Sequence, residues 1–219
     1  MRIRSTASLA AAAFVLAACS ESLPTDATAN LDPSYTSENA ANPATQGNKL
    51  QCFDGDTEGG PSNLGQCELV EGGADIFVPG FGSYAGVYIN NSNLDGKLLS
   101  DINKLAFTYV GNGTTGGSPR ITFPIDFDGN GTWDDFVSAD AIGCTDGDMT
   151  AGTVDVINDE TCLVSLNSGG TYPNWDAFVA AYPDARVATD AVSFVIVDQP
   201  GEFTITNVQL GRGAAKSRP

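Results

Sequence analysis

Between Asp75 and Leu210 the apolar residues come in short runs, each cut by Gly, Asn or Asp. Chains patterned this way lack the long 3.6-residue periodicity of helices and favour strands joined by tight turns. Nine segments are predicted as strands: 75–78, 84–90, 104–110, 120–125, 135–139, 153–157, 161–166, 192–197 and 203–210. In the last, alternation predicts Phe203, Ile205, Asn207 and Gln209 on one face and Thr204, Thr206, Val208 and Leu210 on the other. Many short strands of this kind predict an all-β fold, an antiparallel β-sandwich of jelly-roll type, with one short helix. That helix is predicted from Trp175 to Tyr182. Asn174 is a suitable N-cap, Asp176 suits the positive helix start, and Pro183 stops the helix. Trp175, Phe178, Val179 and Tyr182 form one apolar stripe, so the helix is expected to cap one end of the sandwich with Trp175 in the core.

Between two predicted strands lies Asp126-Phe127-Asp128-Gly129-Asn130-Gly131-Thr132-Trp133-Asp134. Ca²⁺ is a hard cation taking six to eight oxygen ligands, which a short loop can supply from alternate positions. Asp126, Asp128 and Asn130 occupy such positions, Thr132 would offer its backbone carbonyl, and Asp134 would close the set directly or through a water. Gly131 sits where the loop must turn sharply. The run resembles the EF-hand-like calcium loops of dockerins, thrombospondin type 3 repeats and integrin propeller blades. Val137 stands at the twelfth position, where an EF-hand has its bidentate Glu, and the flanks read as strands. The propeller-type hairpin, clamped by one structural ion, is the nearer match. The alternative is an Asx/Gly-rich turn without metal. The same two readings apply to the acidic turns at 54–58 and 146–148.

The N-terminus carries Arg2 and Arg4, then a short apolar segment ending in Leu16-Ala17-Ala18-Cys19. This reads as a secretory signal over residues 1–18, and its end resembles the lipobox of bacterial lipoproteins. The resemblance implies a lipid anchor on Cys19. Ser20 in place of Asp implies the outer membrane of a Gram-negative cell, the anchored chain facing the periplasm or the cell surface. Residues 19–50 are rich in Ser, Thr, Ala, Asn and Pro and read as a disordered tether. The β-sandwich domain is expected over 51–212 and a disordered tail over 213–219.

Past the signal, eight basic residues face 27 acidic ones, and the chain holds no His. Nucleic-acid binding is not expected, since it needs clustered Lys and Arg. Catalysis by Ser-His-Asp or Cys-His is excluded by composition. Besides Cys19, four cysteines remain, Cys52, Cys67, Cys144 and Cys162, and an even number in an exported chain reads as disulfides. Of three possible pairings, Cys52–Cys67 and Cys144–Cys162 are favoured because each pair is close in sequence. A zinc site is the rival and would want tighter spacing or His.

Leu98 to Ile102 before a strand, Ile121 to Ile125 running into the acidic loop, Tyr182-Pro183-Asp184-Ala185 after the helix and the closing Thr204 to Val208 form a familiar series. Over residues 70–211 it resembles exported bacterial β-sandwiches, loosely the jelly rolls of carbohydrate-binding modules and lectin-like domains. The resemblance implies fold more than function. The expected function is a non-catalytic binding module with a glycan as first ligand, for which Trp133 on the loop, Tyr84 and Tyr88 are candidate rings to stack on sugar faces. The alternative is a structural or adhesive domain that binds a surface protein. A carbohydrate-active hydrolase or lyase, which needs two facing carboxylates, is the weaker third reading.

Overall fold

The computed structural model describes residues 49–56, 64–90, 94–112, 117–145, 147–148 and 150–211. The signal segment with Cys19, residues 20–48 of the tether and the tail lie outside the described residues.

The fold is a two-layer antiparallel β-sandwich. The larger sheet is built from β1 (Lys49–Asp56), β4 (Ser83–Asn90), β6 (Arg120–Asp126), β7 (Asp135–Asp140), β9 (Val164–Leu166), β10 (Thr171–Tyr172), β11 (Arg186–Val187) and β12 (Ser193–Val197). Its order is β1-β4-β12-β6-β7-β9-β10, with β11 pairing β6. The smaller sheet contains β2 (Gln66–Val70), β3 (Gly73–Val78), β5 (Lys104–Gly111), β8 (Ala151–Asp155) and β13 (Gly201–Gly211), in the order β2-β3-β13-β5-β8. The core is the set of alternate side chains turned between the sheets, such as Val87, Phe107, Tyr109, Phe123, Val195 and Ile205. Each large apolar side chain buried this way contributes about 1.5–3 kcal/mol relative to exposure.

All nine predicted strands are present, with ends shifted by up to three residues. Four further strands were not predicted. β1 reads Lys-Leu-Gln-Cys-Phe-Asp-Gly-Asp and carries little apolar signal, yet it pairs with β4 over its whole length and begins two residues before the boundary expected at 51. β2 is half-exposed, and β10 and β11 have two residues each.

Helix α2 (Trp175–Ala181) follows the expected plan. Asn174 Oδ1 accepts from the Ala177 N–H at 2.9 Å, and Tyr182 is the C-cap. Trp175 is buried, and its ring meets the inward-facing Phe123 at 6.4 Å, so the helix closes one end of the sandwich. The short helix α1 (Ala141–Cys144) is capped by Asp140, whose Oδ1 accepts from the Gly143 N–H at 2.7 Å.

Both favoured disulfides form. Cys52–Cys67 staples β1 of one sheet to β2 of the other, and Cys144–Cys162 ties α1 to the segment before β9. In the chain-entropy picture a closed loop of this length contributes about 3 kcal/mol.

The expected alternation in the last strand fails halfway. Pairing with β5 shifts register between Thr206 and Gln209, and Asn207 takes a left-handed backbone with φ 50°. This bulge adds one residue on the β13 side and reverses the phase. Val208 and Leu210 therefore turn inward with Phe203 and Ile205, while Asn207 and Gln209 are exposed. The bulge keeps an eleven-residue strand apolar on the core side along its whole length. Asn tolerates the left-handed region; a β-branched residue does not. Replacing Asn207 with Val is expected to lower unfolding free energy by about 1–2 kcal/mol, and Asn207→Gly is expected to be neutral within a few tenths of a kcal/mol. Denaturant melts of the two variants check this; equal melts would remove the bulge as a constraint.

Candidate functional site

The acidic run is the connection between β6 and β7. Asp126 ends β6, and the Asp134 N–H donates to the Ile125 carbonyl at 2.8 Å to close the loop. Asp126 is 1% exposed. Its Oδ1 accepts from the Gly129 N–H at 2.7 Å and its Oδ2 from the Gly131 N–H at 2.8 Å. Burial pushes this carboxyl up, but the Gly131 and Gly129 N–H groups outweigh it and hold it below the usual carboxylate range. Gly131 has φ 93°, the positive backbone angle expected at the sharp turn.

Carboxylate oxygens of Asp126, Asp128 and Asp134 all lie within 4.8 Å of one another. Two oxygens bound to one Ca²⁺ at 2.3–2.6 Å stand at most about 5 Å apart, so the three carboxylates fit one ion. Asp134 Oδ2 also accepts from the Phe127 N–H at 2.7 Å. Asn130 Oδ1 turns to its own loop, accepting from the Thr132 N–H at 2.7 Å and its Oγ1 at 2.5 Å. The carboxylates of three of the five expected ligands converge, and Asn130 and Thr132 bond each other at the exposed rim.

Pro124 determines what lies beside this loop. The Pro124 carbonyl accepts from the Ala188 N–H at 3.2 Å. That edge of β6 pairs with β12 at Arg120–Thr122 and with β11 at Ile125–Asp126. Proline has no N–H to donate to the ladder, and residues 188–192, between these pairings, lie outside any strand. Thr189 then donates to the Gly131 carbonyl through its N–H at 2.9 Å and its hydroxyl at 2.8 Å. Asp190 Oδ1 accepts from the Trp133 N–H at 2.9 Å. Phe127 packs on Tyr182, ring centroids 4.7 Å apart, tying the loop to the end of α2.

Trp133 is half-buried and stacks on Phe136 at 5.1 Å. From there a band of rings crosses the outer face of the larger sheet. Phe136 meets Phe194 at 5.9 Å, Phe194 meets Phe53 at 5.9 Å and Tyr88 at 6.3 Å, and Phe53 meets Tyr88 at 4.3 Å and Tyr84 at 6.4 Å. The three expected ligand-contacting residues, Trp133, Tyr84 and Tyr88, thus lie on one surface, joined by Phe53, Phe136 and Phe194. Burial, followed by Tyr84 beside it, pushes the Tyr88 hydroxyl up, so it remains a neutral donor at physiological pH.

Sequence reasoning missed Thr189 and Asp190, which no local signal marks as loop partners. It also missed the three phenylalanines, although alternation in β7 and β12 carried the outward phase of Phe136 and Phe194; Phe53 lies on β1, which was not predicted. Asp135, the first residue of β7, is buried and accepts from the Ser168 hydroxyl at 2.5 Å, a contact that sequence reasoning did not foresee. In comparisons with known proteins, no family model, no curated protein and no solved structure matches the chain.

Because the folded Asp126 carboxyl ionises below its unfolded value of about 3.9, its stabilisation is complete above that value and is lost as pH falls through the folded one. In chelator, the urea midpoint is expected to drop across this acid range. Asp126→Asn is expected to flatten that part of the profile and to cost about 1–3 kcal/mol at neutral pH, since the buried carboxylate's two hydrogen bonds from loop N–H groups lose their ionic acceptor. An unchanged acid profile in the variant would remove Asp126 as the anchor of the loop.

Proposed function

We propose that this chain is a cell-envelope lipoprotein whose β-sandwich is a non-catalytic glycan-binding module held in shape by one structural Ca²⁺. The observation that carries the reading is the continuous band of rings from Tyr84 to Trp133, ending on the acidic loop. Aromatic rings present broad apolar faces, and a tyrosine adds a hydroxyl for hydrogen bonding. Sugars offer the complement, an apolar ring face rimmed by hydroxyls. Ca²⁺ would draw Asp126, Asp128 and Asp134 together and offset their mutual repulsion, fixing the loop that carries Trp133. Asp126 and Asp134 are already held by loop N–H groups. Cys19, lipidated, would tether the module to the outer membrane, facing periplasm or cell surface.

A second reading, adhesion to a surface protein, is favoured by the outer face of the smaller sheet. There Phe77 and Val110 stand exposed, 38% and 59%, beside a groove of about 670 Å³ that also holds Glu68, Asp75 and Glu202. A hydrolase or lyase would have to work in such a carboxylate-lined hollow; Asp75 there accepts from the Thr204 hydroxyl at 2.7 Å.

Metal that binds only the folded state stabilises by RT ln(1 + [L]/Kd). Saturating Ca²⁺ is expected to raise Tm by about 5 °C or more over chelator, and Asp128→Ala to abolish the shift. Trp133→Ala is expected to keep the calcium shift and to weaken retention on polysaccharide. No calcium shift in the parent chain would reduce the loop to a plain turn, and glycan retention untouched by Trp133→Ala would take the band's end out of the site.

A further inference from the structure

The register of the larger sheet says more about the ligand, on the reading that its outer face binds glycan. One row of outward positions crosses six strands without a break. Tyr88 on β4 pairs with Phe194 on β12, Phe194 with Thr122 on β6, Thr122 with Ser138 on β7, Ser138 with Ser165 on β9, and Ser165 with Thr171 on β10. Adjacent strands lie about 4.8 Å apart, so the row is on the order of 24 Å long, several sugar rings in length. It starts with two rings, passes over Thr122, which is buried at 1% exposure, and continues with the accessible hydroxyls of Ser138, Ser165 and Thr171. Thr122 and Ser138 hydroxyls bond at 3.0 Å, and those of Ser165 and Thr171 at 3.3 Å.

The row holds no charged side chain, in a chain of formal charge −17. In the neighbouring row, Arg120 pairs with Asp198 at 2.5 Å, and Asp140 is taken up by the cap of α1. Among the described residues, this row and the Arg120 row beside it offer an anionic ligand no unpaired cation, and the row itself offers a cationic one no carboxylate. It does offer hydroxyls, each able to donate and accept, to a ligand rich in hydroxyls. The row ends at β10, an edge strand of the sheet, and its other end is one strand from the edge strand β1. Nothing in the order of strands closes it around a chain end.

We propose that the ligand is an extended, uncharged polysaccharide, lying across the strands along the row from Tyr88 to Thr171 and contacted along its length rather than at a terminus. The aromatic part grips ring faces, and the Ser138 to Thr171 part exchanges hydrogen bonds with hydroxyls further along the same chain.

The test uses the mature chain in Ca²⁺. Gel retardation compares soluble neutral polysaccharides (hydroxyethylcellulose, xylan, glucomannan) with anionic polygalacturonate. Calorimetry then compares a disaccharide with a hexasaccharide of the neutral polymer that retards best. Expected are retardation by a neutral polymer and not by polygalacturonate, and affinity rising about tenfold or more from disaccharide to hexasaccharide. Tyr88→Ala should weaken both ligands. Ser165→Glu, remote from the rings, should weaken the hexasaccharide and spare the disaccharide, with Tm checked for both variants. Equal affinity for the two lengths, or a Ser165→Glu variant that binds the hexasaccharide unchanged, overturns the extended-chain inference while leaving glycan binding intact. Preference for polygalacturonate overturns the neutral class. Retardation by none of the polymers overturns the glycan reading itself and this inference with it.

Discussion

The geometry of the acidic loop depends on a hydrogen bond that cannot form. Pro124 sits inside β6 with its carbonyl turned toward the neighbouring strand and no N–H beside it. A strand laid along that edge would lose a ladder bond there, and the chain divides the edge between β11 and β12. The five residues between them become a second wall of the site. Thr189 holds the Gly131 carbonyl twice, and Asp190 holds the Trp133 N–H. The loop is therefore braced from outside its own hairpin as well as by Asp126 within it.

The aromatic face rests on a comparable omission. Phe53 lies over Gly86 and Tyr84 over Gly55; a Cβ at Gly86 would come within 2.6 Å of the Phe53 ring, and one at Gly55 within 2.2 Å of Tyr84. Glycine weakens a strand interior because it has no side chain to pack, and a ring laid flat from the paired strand covers the bare backbone. The same arrangement flattens the rings against the sheet. A Cβ at Gly55 would drive Tyr84 off the sheet, and one at Gly86 would strike the Val195 carbonyl at 2.2 Å as well as the Phe53 ring. The face is thus set by backbone pairing of β1 with β4, and the Cys52–Cys67 staple holds β1 at that edge.

The sandwich was legible in the sequence because core strands carry their pattern locally. Alternation placed β3 to β9, β12 and β13, and the cap at Asn174 placed α2. The acidic loop was legible for the same reason, its spacing being local. What escaped was whatever depends on distant partners. β1 is polar on its own and becomes a strand only because β4 offers it a full edge. Asp190 is remote in sequence from Trp133, and nothing around it marks a loop contact. Asn207 hides the bulge, since either phase of β13 looks apolar enough until the register with β5 decides it. Asp135 looks like one more surface acid until Ser168 is seen covering it.

Charge placement gives the last step. A chain this acidic repels itself, and the simplest relief is to spread carboxylates over solvated turns. Here the distribution is uneven. Three carboxylates gather in the loop, three line the groove of the smaller sheet, and the central row on the outer face of the larger sheet has none. Clearing this row of charge while crowding carboxylates elsewhere costs electrostatic energy, and the outward Ser138, Ser165 and Thr171 add nothing to the core. Hydroxyls and flat rings on that face are what a neutral, hydroxyl-bearing ligand meets with least desolvation cost, because neither partner buries an unpaired charge. The uncharged row and the aromatic band coincide on one sheet, and that coincidence favours this face over the acidic groove as the working surface.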